Sequence, residues 1–376
     1  MRSHLFPKIS WIGALNKCPV ERCPIVFLNM RKIIGLVVVG FGLDFFVASF
    51  ASQVRGNQPM LITSTLAEQQ ILNAQTIRQE TLEKEEVKRF QQITEYATVE
   101  KLHQRPMEEI LQAIAKQFQG TAYKAGLLDQ SKEETLVVSL NKFDCVLFVE
   151  TVLAIARGVA VQNYSYQTFV NHLRDQRYWD GQIKGYDSRL HYFSEWLFDN
   201  QKRSTVQNIG QDLGGVPLNK TLNFMSTHRQ HYPRLTNDQT YKSIRQREAK
   251  LDGVTVDYIP TYEIHRVYAK LRAGDIVAIA TNIPGLDVTH TGLVYRYPNG
   301  NIGLIHASPV GEVTIARDLE TYVGRVENAI GIIVARPIDP RHGRERGEQG
   351  EQAGKGEEAQ RDSEESVFIQ SLVPTE

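Results

Sequence analysis

A thiol and two imidazoles are the parts of an activated nucleophile, and Cys145, His290 and His306 supply them. In such a set one imidazole takes or shares the thiol proton. The second fixes the first through its other ring nitrogen, and the thiolate attacks a carbonyl carbon. Here His290 is the base and His306 the orienter, and the reaction they suit is amide hydrolysis through a thioester. The amide N–H of Cys145 is a natural donor to the developing oxyanion, with the Tyr123 hydroxyl as a second. Protonated His290 then serves the leaving amine and afterwards activates water. This chemistry calls for no metal and no cofactor.

Each residue also has an ordinary use. Cysteine is a small hydrophobe that fills helix faces, a core histidine is often satisfied by a backbone carbonyl, and Tyr123 alone reads as a partly buried core tyrosine. The catalytic reading therefore depends on elements that bring them together. A β-branched run from Thr135 to Leu140 predicts a strand, Asn141 and Lys142 a turn, and Asp144 a cap for a helix starting at Cys145 and running through apolar residues to Arg157. A thiol in that first turn lies beside unpaired N–H groups and the positive end of the helix dipole, which favour thiolate.

Gly274–Thr281, Val288–Tyr295, Ile302–Ser308 and Ala329–Arg336 read as strands, with turns at Ile283-Pro284-Gly285 and Pro298-Asn299-Gly300-Asn301. An antiparallel sheet following helices makes the fold class α+β. His290 and His306 are sixteen positions apart. That even spacing sets them directly opposite one another, Cβ atoms about 5 Å apart, if the turn has odd length and is centred on Pro298. A two-residue turn at Asn299-Gly300 would put them on opposite faces. The odd turn, or an equivalent bulge, is the expectation.

The chain has 376 residues with 43 basic and 43 acidic side chains, enough for a sizeable core and without the charge excess of a nucleic-acid partner. Its three cysteines, Cys18, Cys23 and Cys145, are too few for a disulfide framework and wrongly spaced for zinc. From Met30 a basic start, an apolar run from Ile33 to Leu43 and small residues at Ser49 and Ala51 resemble a secretory signal cleaved after Ala51. Met30 is then the expected start, residues 1–51 are lost, and Cys145 remains as the one thiol of an exported, periplasmic or otherwise extracytoplasmic protein without stable membrane insertion.

Residues 52–105 read as a polar leader passing into an exposed helix ended by Pro106. Ile110, Ile114 and Phe118 recur every four residues and predict an amphipathic helix stopped at Gly120. The catalytic domain is expected over 106–338. Within it, 164–236 is an insertion dense in aromatic and polar side chains, including Arg189, His191, Tyr192 and Trp196. Such side chains hold an amphipathic ligand, or else form the core of a helical subdomain. Residues 339–376 are too polar to pack and read as a disordered tail.

Phe143-Asp144-Cys145, Thr121-Ala122-Tyr123, His290-Thr-Gly-Leu-Val and Ile305-His306-Ala-Ser308 resemble the NlpC-type papain-like cysteine peptidases of bacterial cell walls. Ser188-Arg189-Leu-His191-Tyr192, Phe224-Met225-Ser226, Gly274-Asp275 and Gly285-Leu286-Asp287-Val288-Thr-His290 are similar to one branch, once a domain of unknown function, of N-acetylmuramoyl-L-alanine amidases. The resemblance implies a papain-like core with the Cys helix packed on the sheet, a Cys145–His290–His306 triad, and peptidoglycan or released muropeptides as substrate. It places Tyr123 and Asp144 near the site and the 164–236 insertion, with Arg189, His191, Tyr192, Trp196 and Asp287, on the substrate side. Val146-Leu147 stands where the wider superfamily has Ser-Gly. That departure weighs against a γ-D-glutamyl-diamino acid endopeptidase, the alternative cut within the stem peptide; a non-catalytic wall-binding module is the third reading.

Overall fold

The computed structural model describes residues 83–342. The signal-like segment, most of the polar leader and the tail beyond His342 lie outside the described residues. The described residues from Glu86 to His342 belong to one compact unit.

The chain is helical over 83–99, here α1. Its reading as a merely exposed helix needs correction. Phe90, Ile93 and Ala97 recur at helical spacing and are buried, and Phe90 stacks on Phe169 with ring centroids 5.1 Å apart. The fold therefore takes in sequence upstream of Pro106. The other helices are α2 Met107–Lys116, α3 Cys145–Ala160, α4 Tyr166–Arg177, α5 Phe193–Lys202, α6 Phe224–Thr227, α7 Asp238–Lys250 and α8 Leu319–Val323. The strands are β1 Val206–Asn208, β2 Val216–Pro217, β3 Asp257–Pro260, β4 Ile276–Thr281, β5 Val288–Arg296, β6 Ile302–Ala307, β7 Val313–Ala316 and β8 Ala329–Pro337.

All strand pairs are antiparallel, in the order β2-β3-β8-β4-β5-β6-β7, with β1 also on β8. Helices and an antiparallel sheet make the α+β architecture. Every residue of β4 is buried because both sheet faces are covered. Ile276, Ala278 and Ala280 join the core containing α3, whereas Val277 and Ile279 join a second core with Val294, Leu304, Leu319 and Val323. A third cluster, with Tyr192, Phe224, Met225, Tyr232 and Leu286, lies in and beside the insertion. The helical subdomain thus has an aromatic core of its own.

Thr135–Leu140 does not form the expected strand. Side chains take its backbone groups instead: the Tyr178 hydroxyl donates to the Thr135 carbonyl at 3.1 Å and Arg177 Nη1 to the Val137 carbonyl at 2.5 Å. A glutamate of α1, Glu86, accepts from the Leu140 amide. With these groups spoken for, no neighbouring strand is needed.

Candidate functional site

Asp144 has extended backbone and caps α3, accepting from the amides of Val146 at 3.1 Å and Leu147 at 2.8 Å. This ends the approach to the helix and places Cys145 in its first turn. The segment around Tyr123 runs beside it. Phe143 N donates to the Ala122 carbonyl at 3.0 Å and Lys124 N to the Phe143 carbonyl at 2.8 Å. Opposite, the Thr291 hydroxyl donates to the carbonyl of Cys145 at 3.0 Å. The residue next to His290 is thereby fastened to the start of the Cys helix.

His290 and His306 meet in the hairpin of β5 and β6. Their ring nitrogens Nε2 and Nδ1 are 2.8 Å apart, with the two rings nearly perpendicular at 88°. The shared face follows from the even spacing together with an odd-length connection, as expected, but the register differs from the expectation. The pairs Leu293–Ile305 and Arg296–Ile302 centre the five-residue connection on Asn299, not Pro298. Continuing that register sets His306 opposite Gly292, with His290 one diagonal step away on the same face. The Asn299-Gly300 pair causes the shift: the Asn299 side chain accepts from the Asn301 amide at 3.1 Å, and Gly300 turns with φ +86°.

Gly292 makes the diagonal contact possible. A Cβ there would lie 2.9 Å from His306 Cβ and 2.9 Å from the Ile305 carbonyl oxygen. Gly292→Ala is therefore expected to push β6 away, lengthen the imidazole contact and cost about 1–3 kcal/mol of stability, the usual penalty of overpacking. Urea melts read the stability and His ring NMR the contact; an unshifted His306 resonance would refute this account. On its other side β5 carries a register shift against β4, where Ile279 pairs with His290 but Ala280 with Val288. The extra residue, Thr289, forms a bulge that re-aims the strand next to His290.

Burial governs the electrostatics. Cys145 is wholly inaccessible, His290 is 2% exposed and His306 1%. Burial pushes the Cys145 thiol up to about 12, seconded by the charge of Asp144, and outweighs the Thr291 groups and its own N–H, which pull it down. In this resting geometry the helix terminus does not prevail, and the sulfur is a thiol. Burial likewise drives the His290 imidazole well below its ordinary range, with His306 adding to the effect, and brings His306 down to about 4. Asp144 rises to about 6 through burial, against its two amide bonds. Tyr123 is also raised, by burial and then by Cys145, so its phenol stays protonated. His290 Nδ1 is buried without a hydrogen-bond partner among the described residues.

The insertion residues are arranged differently. Arg189 is 4% exposed and donates to the Leu128 carbonyl at 2.9 Å and Asp129 at 2.6 Å. His191 Nε2 lies 2.8 Å from the Tyr186 carbonyl, and the Tyr192 hydroxyl donates to Glu248 at 2.7 Å while accepting from Met225 N. Trp196 stacks on Phe193. Asp287 accepts from the amides of Ser194 at 2.7 Å and Val288 at 2.9 Å, tying α5 to the start of β5. In this geometry their polar groups are engaged within the protein. Lys220, which carries no motif signal, donates to the carbonyls of Thr281, Ile283 and Leu286 at 2.5, 2.8 and 2.9 Å. It pins the loop leading to His290.

Two clefts, about 690 and 450 Å³, lie elsewhere, around Glu108, Arg272 and Arg336, and neither is lined by Cys145, His290 or His306. Among the described residues no three or more His, Cys, Asp or Glu side chains group to hold a metal ion, and no helix is long and apolar enough to cross a membrane.

With this geometry in hand, comparison with known proteins places the chain. A family model described as AmiA-like, N-acetylmuramoyl-L-alanine amidase-like, matches residues 113–332, more than half of the sequence. The chain belongs to this family. The match spans Tyr123, α3, the insertion and the β5–β6 hairpin of the AmiA-like chain. A crystal structure of an N-acetylmuramoyl-L-alanine amidase from Bacteroides uniformis is similar, with 29% identity and a TM-score of 0.57, covering 62% of this chain and 99% of that one. A Bacteroides fragilis structure provisionally named a xylanase shares 30% identity at a TM-score of 0.51, covering 59% and 98%. A Legionella pneumophila protein at 21% identity and TM-score 0.50 covers 66% and 94%, a likeness of fold. No curated protein matches.

Proposed function

We propose that this AmiA-like protein is an exported cysteine amidase that hydrolyses the bond between N-acetylmuramic acid and L-alanine in peptidoglycan or released muropeptides. The observation that carries the reading is the His290–His306 contact of 2.8 Å beside the Cys145 helix, with His290 Nδ1 left without a partner. An imidazole that donates from Nε2 keeps Nδ1 as an acceptor, the form a general base needs. Export rests on the signal-like segment from Met30, and a papain-like core on the helix-first, sheet-second order of its parts.

The thiol proton passes to His290 Nδ1 as sulfur attacks the carbonyl carbon, because burial makes a preformed ion pair costly. The Cys145 amide and the Tyr123 hydroxyl donate to the resulting oxyanion. The C–N bond then breaks, His290 returns its proton to the alanine nitrogen, and the acyl group remains on sulfur. Water attacks the thioester with His290 as base, the C–S bond breaks, and the thiol recovers a proton. Arg189, His191, Tyr192, Trp196 and Asp287 shape the wall of the sugar-side pocket in this reading.

Mass analysis of disaccharide-peptide muropeptides incubated with the protein tests the proposal. Free disaccharide plus an intact stem peptide supports it; shortened peptides still joined to sugar would reassign the cut to an endopeptidase. The acid limb of the kcat/KM profile gives a second test. A base whose imidazole is held below its ordinary pKa of about 6.5 stays unprotonated further into acid, and burial lowers both histidines. The limb is therefore expected below pH ~6.5, and as an apparent value of the coupled pair. A limb at or above the ordinary histidine value would contradict the buried base.

A further inference from the structure

The two clefts away from Cys145, His290 and His306 share one wall, formed by Glu108 of α2, Arg272 and Ala273 of the turn before β4, and Arg336 of β8. That wall is firmly built. The Arg336 guanidinium meets Asp275 through two bonds of 2.8 Å and donates to the Lys270 carbonyl at 2.9 Å. Arg341, beside it in the smaller cleft, is paired with Asp339 and donates to the carbonyls of His103 at 2.8 Å and Arg105 at 3.0 Å. Gln112 bonds both backbone groups of Arg296, at 2.7 and 3.1 Å, and so joins α2 to the end of β5. Gly274 lets the turn press on the helix, since a Cβ there would lie 2.5 Å from Leu111 Cβ.

Two charges on the shared wall are left over. The Glu108 side chain is half-buried and that of Arg272 exposed, and neither makes a hydrogen bond or ion pair among the described residues. The field of Glu108 reaches the pinned cations: Arg336 is raised by Asp275 and then by Glu108, and Arg341 by Asp339 and then by Glu108. Both guanidiniums are already spent on their own partners, so Glu108 stays unpaired beside them. Glu109, its neighbour on α2, adds to the negative side of the larger cleft. A ligand of one sign would satisfy one of the two free groups and repel the other. A ligand with both signs a few ångströms apart answers both.

We infer that this cleft binds the zwitterionic end of an amino acid or short peptide, with its ammonium on Glu108 and its carboxylate on Arg272, whose planar fork suits a carboxylate. At about 690 Å³ the larger cleft has room for such a ligand. The diamino acid of a stem peptide carries an ammonium and a carboxylate on one carbon when it is not cross-linked. That choice of ligand rests on the amidase reading; the charge pair does not. The cleft is then a second site, apart from the histidine pair, for uncross-linked wall peptide.

Calorimetric titration of the full-length protein with diaminopimelic acid tests this. Binding is expected, and it should weaken at least about tenfold in Glu108→Gln and in Arg272→Ala. Neither side chain has a protein partner, so both variants should melt with the parent. Acetylating both ligand amines, or esterifying both carboxylates, should weaken binding as much. Cys145→Ala should bind like the parent. No binding by the parent, equal binding of either blocked ligand, or binding that is lost in Cys145→Ala but kept in Glu108→Gln would overturn the inference. A parent that binds the diamino acid yet releases no disaccharide from muropeptide supports the cleft and sinks only the amidase reading.

Discussion

Cys145→Ala is expected to lose at least about 10³-fold in kcat on muropeptides, because it removes the thiol that forms the thioester in the proposed mechanism. His290→Ala should lose nearly as much. The double variant should be hardly worse than either single one, since a nucleophile and its base act as a unit. Stability should separate from activity. Removing one sulfur from a buried position leaves a small void, so the urea midpoint should move by no more than about 1–2 kcal/mol equivalent. A folded Cys145→Ala protein that still released disaccharide at the parent rate would end the cysteine mechanism, and attention would turn to direct attack by water.

The largest effect on folding is expected beneath the site. Glu150, on α3 below Cys145, accepts from Arg177 Nε at 2.7 Å, and both side chains are 1% exposed. Arg177 also donates to the Val137 carbonyl, so this pair anchors the segment that failed to become a strand. Burial raises the Glu150 carboxyl and Arg177 pulls it back. Glu150→Ala leaves a guanidinium in the core without its counter-charge, which costs about 3–5 kcal/mol. Against a typical stability of about 5–15 kcal/mol that is a large share. Replacing both partners with methionine should restore much of it, because the desolvation of both ions goes too. Denaturant melts of the parent and these two variants test this; a Glu150→Ala loss below about 1 kcal/mol would mean that water or a shifted proton already neutralises the pair.

These sites differ in how far the sequence announces them. Asp144 before an apolar run is a local signal, and the cap and helix follow from it. Alternation with an intervening Asn-Gly locates the β5–β6 hairpin, and the even spacing of His290 and His306 gives them one face because the connection has an odd number of residues. The centre of the turn is set by Asn299 and Gly300, and Gly292 tolerates the resulting close approach of His306 through an absent Cβ. Thr135–Leu140 looks like a strand by propensity, yet Arg177, Tyr178 and Glu86 arrive from distant positions to take its backbone groups. In the same way the partners of Arg189 and Asp287, Asp129 and the Ser194 amide, come from distant positions that no local pattern reveals. Lys220 carries no pattern at all: it is placed by three carbonyls across a loop.

The complete enclosure of Cys145 has a bearing on durability. Oxidants attack thiolate that they can reach, and a buried thiol with a raised pKa gives them neither charge nor access. Were the protein exported as proposed, the sulfur would be sheltered in surroundings where free thiols are soon spent. In the proposed mechanism the same shelter would have to give way before substrate reached the sulfur, through a local opening of the packing over it. Hydrolysis and oxidative inactivation would then share one route, and looser packing that quickened turnover would also shorten the working life of the thiol.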